Sequence, residues 1–174
     1  ISDTKSPGRL LFAEFFYRNI KSVNITSRSI SDFASHRFTR ISNMIQESMT
    51  GDIFMTVKDA IGVFSYQHKT FQTIVLFPIH GFQDGPFSNT IFDSPSDLVF
   101  LNNYTLLVAD GGNHRLRVLN LNTNISHSIC SGEIGGADGD LTSCSLIGAY
   151  GLLVVDDEIY LGVSGRIRLI TGEY

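Results

Sequence analysis

Tryptophan is absent, proline occurs four times and cysteine twice in 174 residues. Two cysteines do not by their number decide the redox compartment. No apolar run approaches the roughly 20 residues that a membrane-spanning helix needs; the longest are short pieces such as "GLLVV" at 151–155. Charged residues make up only 17%, and with a net charge of -4 neither sign is in large excess. Nothing in that balance marks a nucleic-acid binder. Signatures of chemistry are missing too. There is no His-x-x-x-His pair, no Cys-x-x-Cys and no serine elbow. The Gly-rich stretch "SGEIGGADGD" (131–140) lacks the Lys-Ser/Thr of a phosphate loop. The chain begins at Ile1 without a signal-peptide pattern, as expected of a processed chain or a segment of a longer one.

What is present is an apolar, Gly-punctuated sequence. Hydrophobic residues reach 43% and glycine numbers 16. Short runs of Ile, Leu, Val, Phe and Thr recur between Gly, Asn, Asp and Ser, which is the pattern of strands and tight turns. The nearest approach to a helical period is "RISNMIQESM" (40–49), which is short and stops at Thr50-Gly51. The expected class is all-β.

Self-comparison gives a repeat. "LLFAEFFYRNIKSV", "IFMTVKDAIGVF", "LLVADGGNHRLRVL" and "IYLGVSGRIRLI" each run strand, loop, strand. Aligned on Leu11, Phe54, Leu107 and Tyr160 they recur every 43, 53 and 53 residues. The second strand is entered at Ile20, Ile61, Leu116 and Ile167. A further landmark, Asp84-Gly85, recurs at Asp138-Gly139. These spacings are near that of one four-stranded propeller blade.

The stretch 84–123 resembles the NHL repeat. It carries Asp84-Gly85, Phe92, Pro95, Val108-Ala109-Asp110 and Asn113-His114-Arg115-Leu116 in the order of that family's motif. The other three repeats are degenerate. The resemblance implies a β-propeller of four-stranded antiparallel blades, usually about six of them, with strands a to d running outward. We expect blades at 9–35, 40–77, 97–130 and 150–174, two of them full. The first should lack its inner strand and the last its outer strand, for 14 strands in all. Such an arc leaves open edges and an uncovered face, so the segment is expected to belong to a larger propeller.

Within that frame, "VADGGNHRLRVLNL" is a b–c connection, with Gly111 and Gly112 supplying positive φ and Asp110 accepting from loop N–H groups. Asp84, Gly85, Pro95, Asp110, Asn113, His114, Arg115, Asp138 and Gly139 are therefore assigned to the repeat motif, with no catalytic residue, metal or cofactor. "DDE" at 156–158 falls on a tight a–b turn. Cys130 and Cys144 stand at the two ends of one d–a loop; they are either a disulfide in an oxidising compartment or two reduced, buried thiols. Sequons occur at Asn24, Asn103 and Asn124, on turns that would share one propeller face or its rim. Phe15, Phe16 and Tyr17 replace the glycines of the good repeat. They would either pack against a neighbouring blade or form an exposed anchor for a partner.

Three functions are compatible with this reading. The favoured one is a non-enzymatic extracellular or cell-surface propeller, carrying N-linked glycans and binding a protein partner or the remainder of the propeller, with no nucleic acid and no membrane-spanning segment. The others are an enzyme of the amidating-lyase or lactonase-like propeller type and an intracellular RNA-binding NHL domain.

Overall fold

The structure, a computed structural model, describes residues 1–14, 19–34, 40–75, 79–130, 134–135, 144, 146–156 and 158–170. Four antiparallel sheets follow one another along the chain. The first holds β1 (Arg9–Glu14), β2 (Asn19–Asn24) and β3 (Ser29–Ala34). The second holds β4 (Ile41–Gln46), β5 (Ile53–Val57), β6 (Ala60–Phe64) and β7 (Phe71–Val75). The third contains β8 (Gly85–Pro86), β9 (Pro95–Asn102), β10 (Thr105–Asp110), β11 (Arg115–Asn120) and β12 (Ile125–Ile129). The last contains β13 (Ala149–Val155), β14 (Glu158–Val163) and β15 (Arg166–Ile170). Apart from β8, each sheet is an up-and-down meander, and β4, β9 and β13 lie side by side. The sheets are thus blades of a propeller arc, and these three strands are its inner wall. Among the described residues there is no α-helix; Gly111–Asn113 make a single 3-10 turn.

The alternation of strand side chains explains why runs such as Leu106-Leu107-Val108-Ala109 are apolar throughout. Leu106 and Val108 face backward into a core shared with Ile61 and Val75 of blade 2. Leu107 and Ala109 face forward into a core shared with Ala149, Ile159 and Leu161 of blade 4. A third core joins Leu11 and Ile20 of blade 1 to Met44, Ile53 and Met55 of blade 2. The hydrophobic cores therefore sit between blades, and no blade buries its own faces.

Two expectations about strands need correction. Blade 3 has a fifth strand: β8 pairs outside β12, with Ser126 opposite Gly85 and Ile125 opposite Pro86. In blade 1, Ser2 bridges Leu10 and the Leu11 amide donates to the Ile1 carbonyl at 2.7 Å. Residues 1–3 thus occupy the inner side of β1, where no strand was expected. The inner strands are irregular at a repeated place. Pairing slips between Ile41 and Met44, opposite Ala109 and Asp110, and between Ala149 and Gly151. Bulges of this kind re-aim side chains, here those of Asn43 and Asp97.

Candidate functional site

The b–c loop of blade 3 is built around Arg117, a β11 residue with no solvent exposure. Its Nε donates to Asp84 Oδ1 at 3.0 Å. One terminal nitrogen donates to Asp110 Oδ2 at 2.8 Å and to the Ile91 carbonyl at 2.9 Å. The other reaches the Gln83 carbonyl at 2.7 Å and Asp84 Oδ1 at 2.8 Å. Five donors thus meet acceptors, the condition for burying a guanidinium. Phe92 covers one side of it, 4.8 Å from ring centre to guanidinium carbon. Arg117 pins β8's approach, the d–a loop and the b–c loop to one point.

Asp110 completes the knot. Its Oδ1 accepts from the Asp93 amide at 2.9 Å, and its Oδ2 also accepts from Asn113 Nδ2 at 2.8 Å. Asn113 in turn donates to the Gly81 carbonyl at 2.6 Å. His114 takes the left-handed conformation (φ 54°) that closes the turn. Its Nδ1 accepts from the Gly148 amide at 3.2 Å, tying the loop to the chain entering blade 4. Arg115 donates to the Cys130 carbonyl at 3.3 Å and lies over the Phe82 ring. Among the described residues, Asp84, Asp110, Asn113, His114 and Arg115 of the motif are thus all engaged in holding blade 3 or the seam to blade 4. The expectation for the glycines was wrong in its mechanism: neither Gly111 nor Gly112 has positive φ. They are needed for close approach. A Cβ on Gly112 would sit 2.4 Å from Asp93 Cγ and 2.8 Å from the Asp93 carbonyl oxygen.

Position 117 has a counterpart in each of the other three blades. Lys21 in blade 1 pairs with Glu14 at 3.7 Å and Asp32 at 2.6 Å, a looser version of the same knot. Gly62 in blade 2 leaves a space that the Phe71 ring fills. Arg168 holds the place in blade 4. A second repeated position is the bulge. Asn43 donates to Asp97 across the seam between blades 2 and 3. Asp97 accepts from the Leu98 amide at 2.7 Å and from the Leu152 amide of blade 4 at 2.6 Å. Burial raises the Asp97 pKa from the usual carboxylate value, against the pull of these hydrogen bonds. The third member of the series, Gly151, has no side chain to offer.

Cys130 and Cys144 are joined as a disulfide, Cα to Cα 4.6 Å, in the core between blades 3 and 4. The tips of the a–b and c–d turns share one face: the Leu121 amide donates to the Tyr104 carbonyl at 2.8 Å. Asn103 and Asn124 are exposed there, and Asn24 is half-buried at the end of β2. Phe15, Phe16, Tyr17, Asp138 and Gly139 lie outside the described residues.

Solved structures provide the comparison. An auxiliary nutrient binding protein from Bacteroides ovatus superposes with a TM-score of 0.81 at 15% identity, over 99% of this chain and 47% of that one. Its namesake from Bacteroides thetaiotaomicron gives 0.77 at 16%, over 94% and 45%. A chain of the nidogen/laminin complex gives 0.63 at 10%, over 90% and 51%. This chain has the β-propeller fold. It spans less than half the length of either nutrient-binding protein. No protein-family model matches the chain, and no curated protein matches it by sequence.

Sequence reasoning missed three features. Arg117 hides in "RLRVL", where it reads as the polar partner in an alternating strand. Asn43 and Asp97 were readable as a pair, since they stand 54 residues apart, one repeat. The third is a group on the b–c and d–a face. Asp59, His80 and Asp93 bring one ligand atom each within 4.8 Å of one another, and their wide separation in sequence gave no motif.

Proposed function

We propose that the chain is a four-blade stretch of a larger, NHL-type β-propeller that works outside the cell or at its surface as a non-enzymatic interaction module. The observation that carries this reading is the buried Cys130–Cys144 disulfide, which belongs to an oxidising compartment. The engagement of Asp110, Asn113, His114 and Arg115 in blade packing supports a structural role for the motif over catalysis. N-glycans at Asn24, Asn103 and Asn124 would crowd the a–b and c–d face or its rim. Partners would then meet the opposite face, to which we assign Phe15, Phe16 and Tyr17 as anchors. The rest of the propeller would complete the end blades.

Intact mass of native-source protein, before and after reduction and enzymatic deglycosylation, tests this. The expected result is a two-dalton gain for this cysteine pair and glycan loss at one or more of the three sequons. Free thiols at both Cys130 and Cys144 in native material overturn the compartment. Loss of partner binding, with folding retained, is expected when Phe15, Phe16 and Tyr17 become Ser.

A further inference from the structure

We infer that Asp59, His80 and Asp93 form a site for one divalent transition-metal ion, zinc being the natural fit, at the seam between blades 2 and 3. Asp59 is on the two-residue turn between β5 and β6. His80 and Asp93 belong to the connection that leads from β7 to β9. Their ligand atoms already converge within 4.8 Å, with His80 Nδ1 3.8 Å from Asp59 Oδ2. Tetrahedral zinc with bonds of about 2.0–2.2 Å brings its ligand atoms to roughly 3.3 Å apart, so the group has to contract by an ångström or so. The His80 side chain, 74% exposed, is the arm free to do it.

The two carboxylates are already held. Asp59 Oδ1 accepts from the Ser94 amide at 3.1 Å. Asp93 is fixed through its backbone, its amide on Asp110 and its carbonyl accepting from Gly112 at 2.9 Å. Lys58 Nζ stands 3.8 Å from Asp59 Oδ2, and the Ser94 hydroxyl donates to Asp93 Oδ1 at 3.0 Å. A divalent ion would neutralise both carboxylates and displace the Lys58 contact. One imidazole with two carboxylates is a borderline donor set, suited to zinc or cobalt and poorly matched to calcium, which takes oxygen alone. Three protein ligands leave an open position for water or for a carboxylate from a partner. The ion would also add a second polar tie here to the Ser94–Asp59 hydrogen bond.

The test titrates Zn2+ and Co2+ into the full-length protein containing this segment, following heat of binding and the visible cobalt spectrum. One equivalent at this site is expected, with a four- or five-coordinate cobalt signature. His80→Ala should weaken that equivalent at least tenfold. Asp59→Asn, which keeps the acceptor for the Ser94 amide, should do the same. His68→Ala, at an exposed turn of blade 2, should leave it unchanged. Because the His80 ring is on the surface, its loss does not threaten folding, and near-ultraviolet circular dichroism checks this. Equal binding by the wild type and His80→Ala, or no saturable binding at all, overturns the site.

Discussion

Ile167 is 80% exposed where Leu116, the residue at the same point of the preceding blade, is wholly buried. Ile20 and Ile61, at that point in blades 1 and 2, are wholly buried as well. Leu169 repeats the contrast, at 48% against 4% for its counterpart Val118. On the opposite end of the arc, Leu10 and Phe12 are 40% and 39% exposed, while the matching Leu106 and Val108 are fully covered. Each end face is shaped like an interior one. In the full-length protein, Ile167→Asp with Leu169→Asp should therefore be strongly destabilising, by about 3 kcal/mol or more for burying unpaired charge. In the isolated segment the same pair should reduce self-association. Denaturant unfolding of the first and sedimentation of the second check this; harmless charges in the full-length protein would mean that no blade covers the face.

Arg117→Met removes the cation from between Asp84 and Asp110. Breaking a buried pair by deleting one partner leaves a buried charge without compensation, a loss of roughly 3–5 kcal/mol. Arg117→Lys should recover little of it, because an ammonium cannot reach two carboxylates and two carbonyls through a planar fork. Chemical denaturation of the three proteins measures the order wild type, then lysine, then methionine.

Gly112→Ala should be worse than Gly111→Ala. The added methyl at 112 meets the Asp93 backbone oxygen at 2.8 Å, whereas at 111 its nearest neighbour, the Ala149 oxygen, is 3.2 Å away. Overpacking against backbone is expected to destabilise by about 1–3 kcal/mol. Thermal unfolding of both variants decides whether close approach is the reason for the pair.

Asp97 gives a pH dependence. Its pKa in the fold is raised by burial, so its protonated form is favoured in the native state. Its contribution is then fullest below the ordinary carboxylate value of about 3.8–3.9 and declines as pH rises through the raised value. Asp97→Asn does not titrate. The stability gap between wild type and Asp97→Asn should consequently be larger near pH 3.5 than at pH 7. A gap that widens towards neutrality would show that the three hydrogen bonds outweigh desolvation.

Strands were legible because alternation and Gly, Asn or Asp turns recur with the blade. The four strand–loop–strand segments read as repeats are observed as the pairs β1–β2, β5–β6, β10–β11 and β14–β15. β8 was not legible: two residues, Gly85 and Pro86, carry no period, and their pairing depends on β12, far along the chain. The reason for Gly111-Gly112 was misread because φ is the usual explanation for glycine, while the real one, the Asp93 chain passing overhead, is a tertiary fact. Arg117 was passed over for a similar reason. Its burial depends on acceptors from Gln83, Asp84, Ile91 and Asp110, which no local window contains together.

The Asn43–Asp97–Leu152 series points one way along the chain, each side chain reaching forward to the next blade's inner strand. Gly151 ends it. A propeller closed around this arc would therefore have unequal seams at its hub: those ahead of Asn43 and Asp97 are latched by polar contacts, and the one ahead of Gly151 has no such latch. Of these three seams, the one ahead of Gly151 would be the first to part under mechanical load or heat.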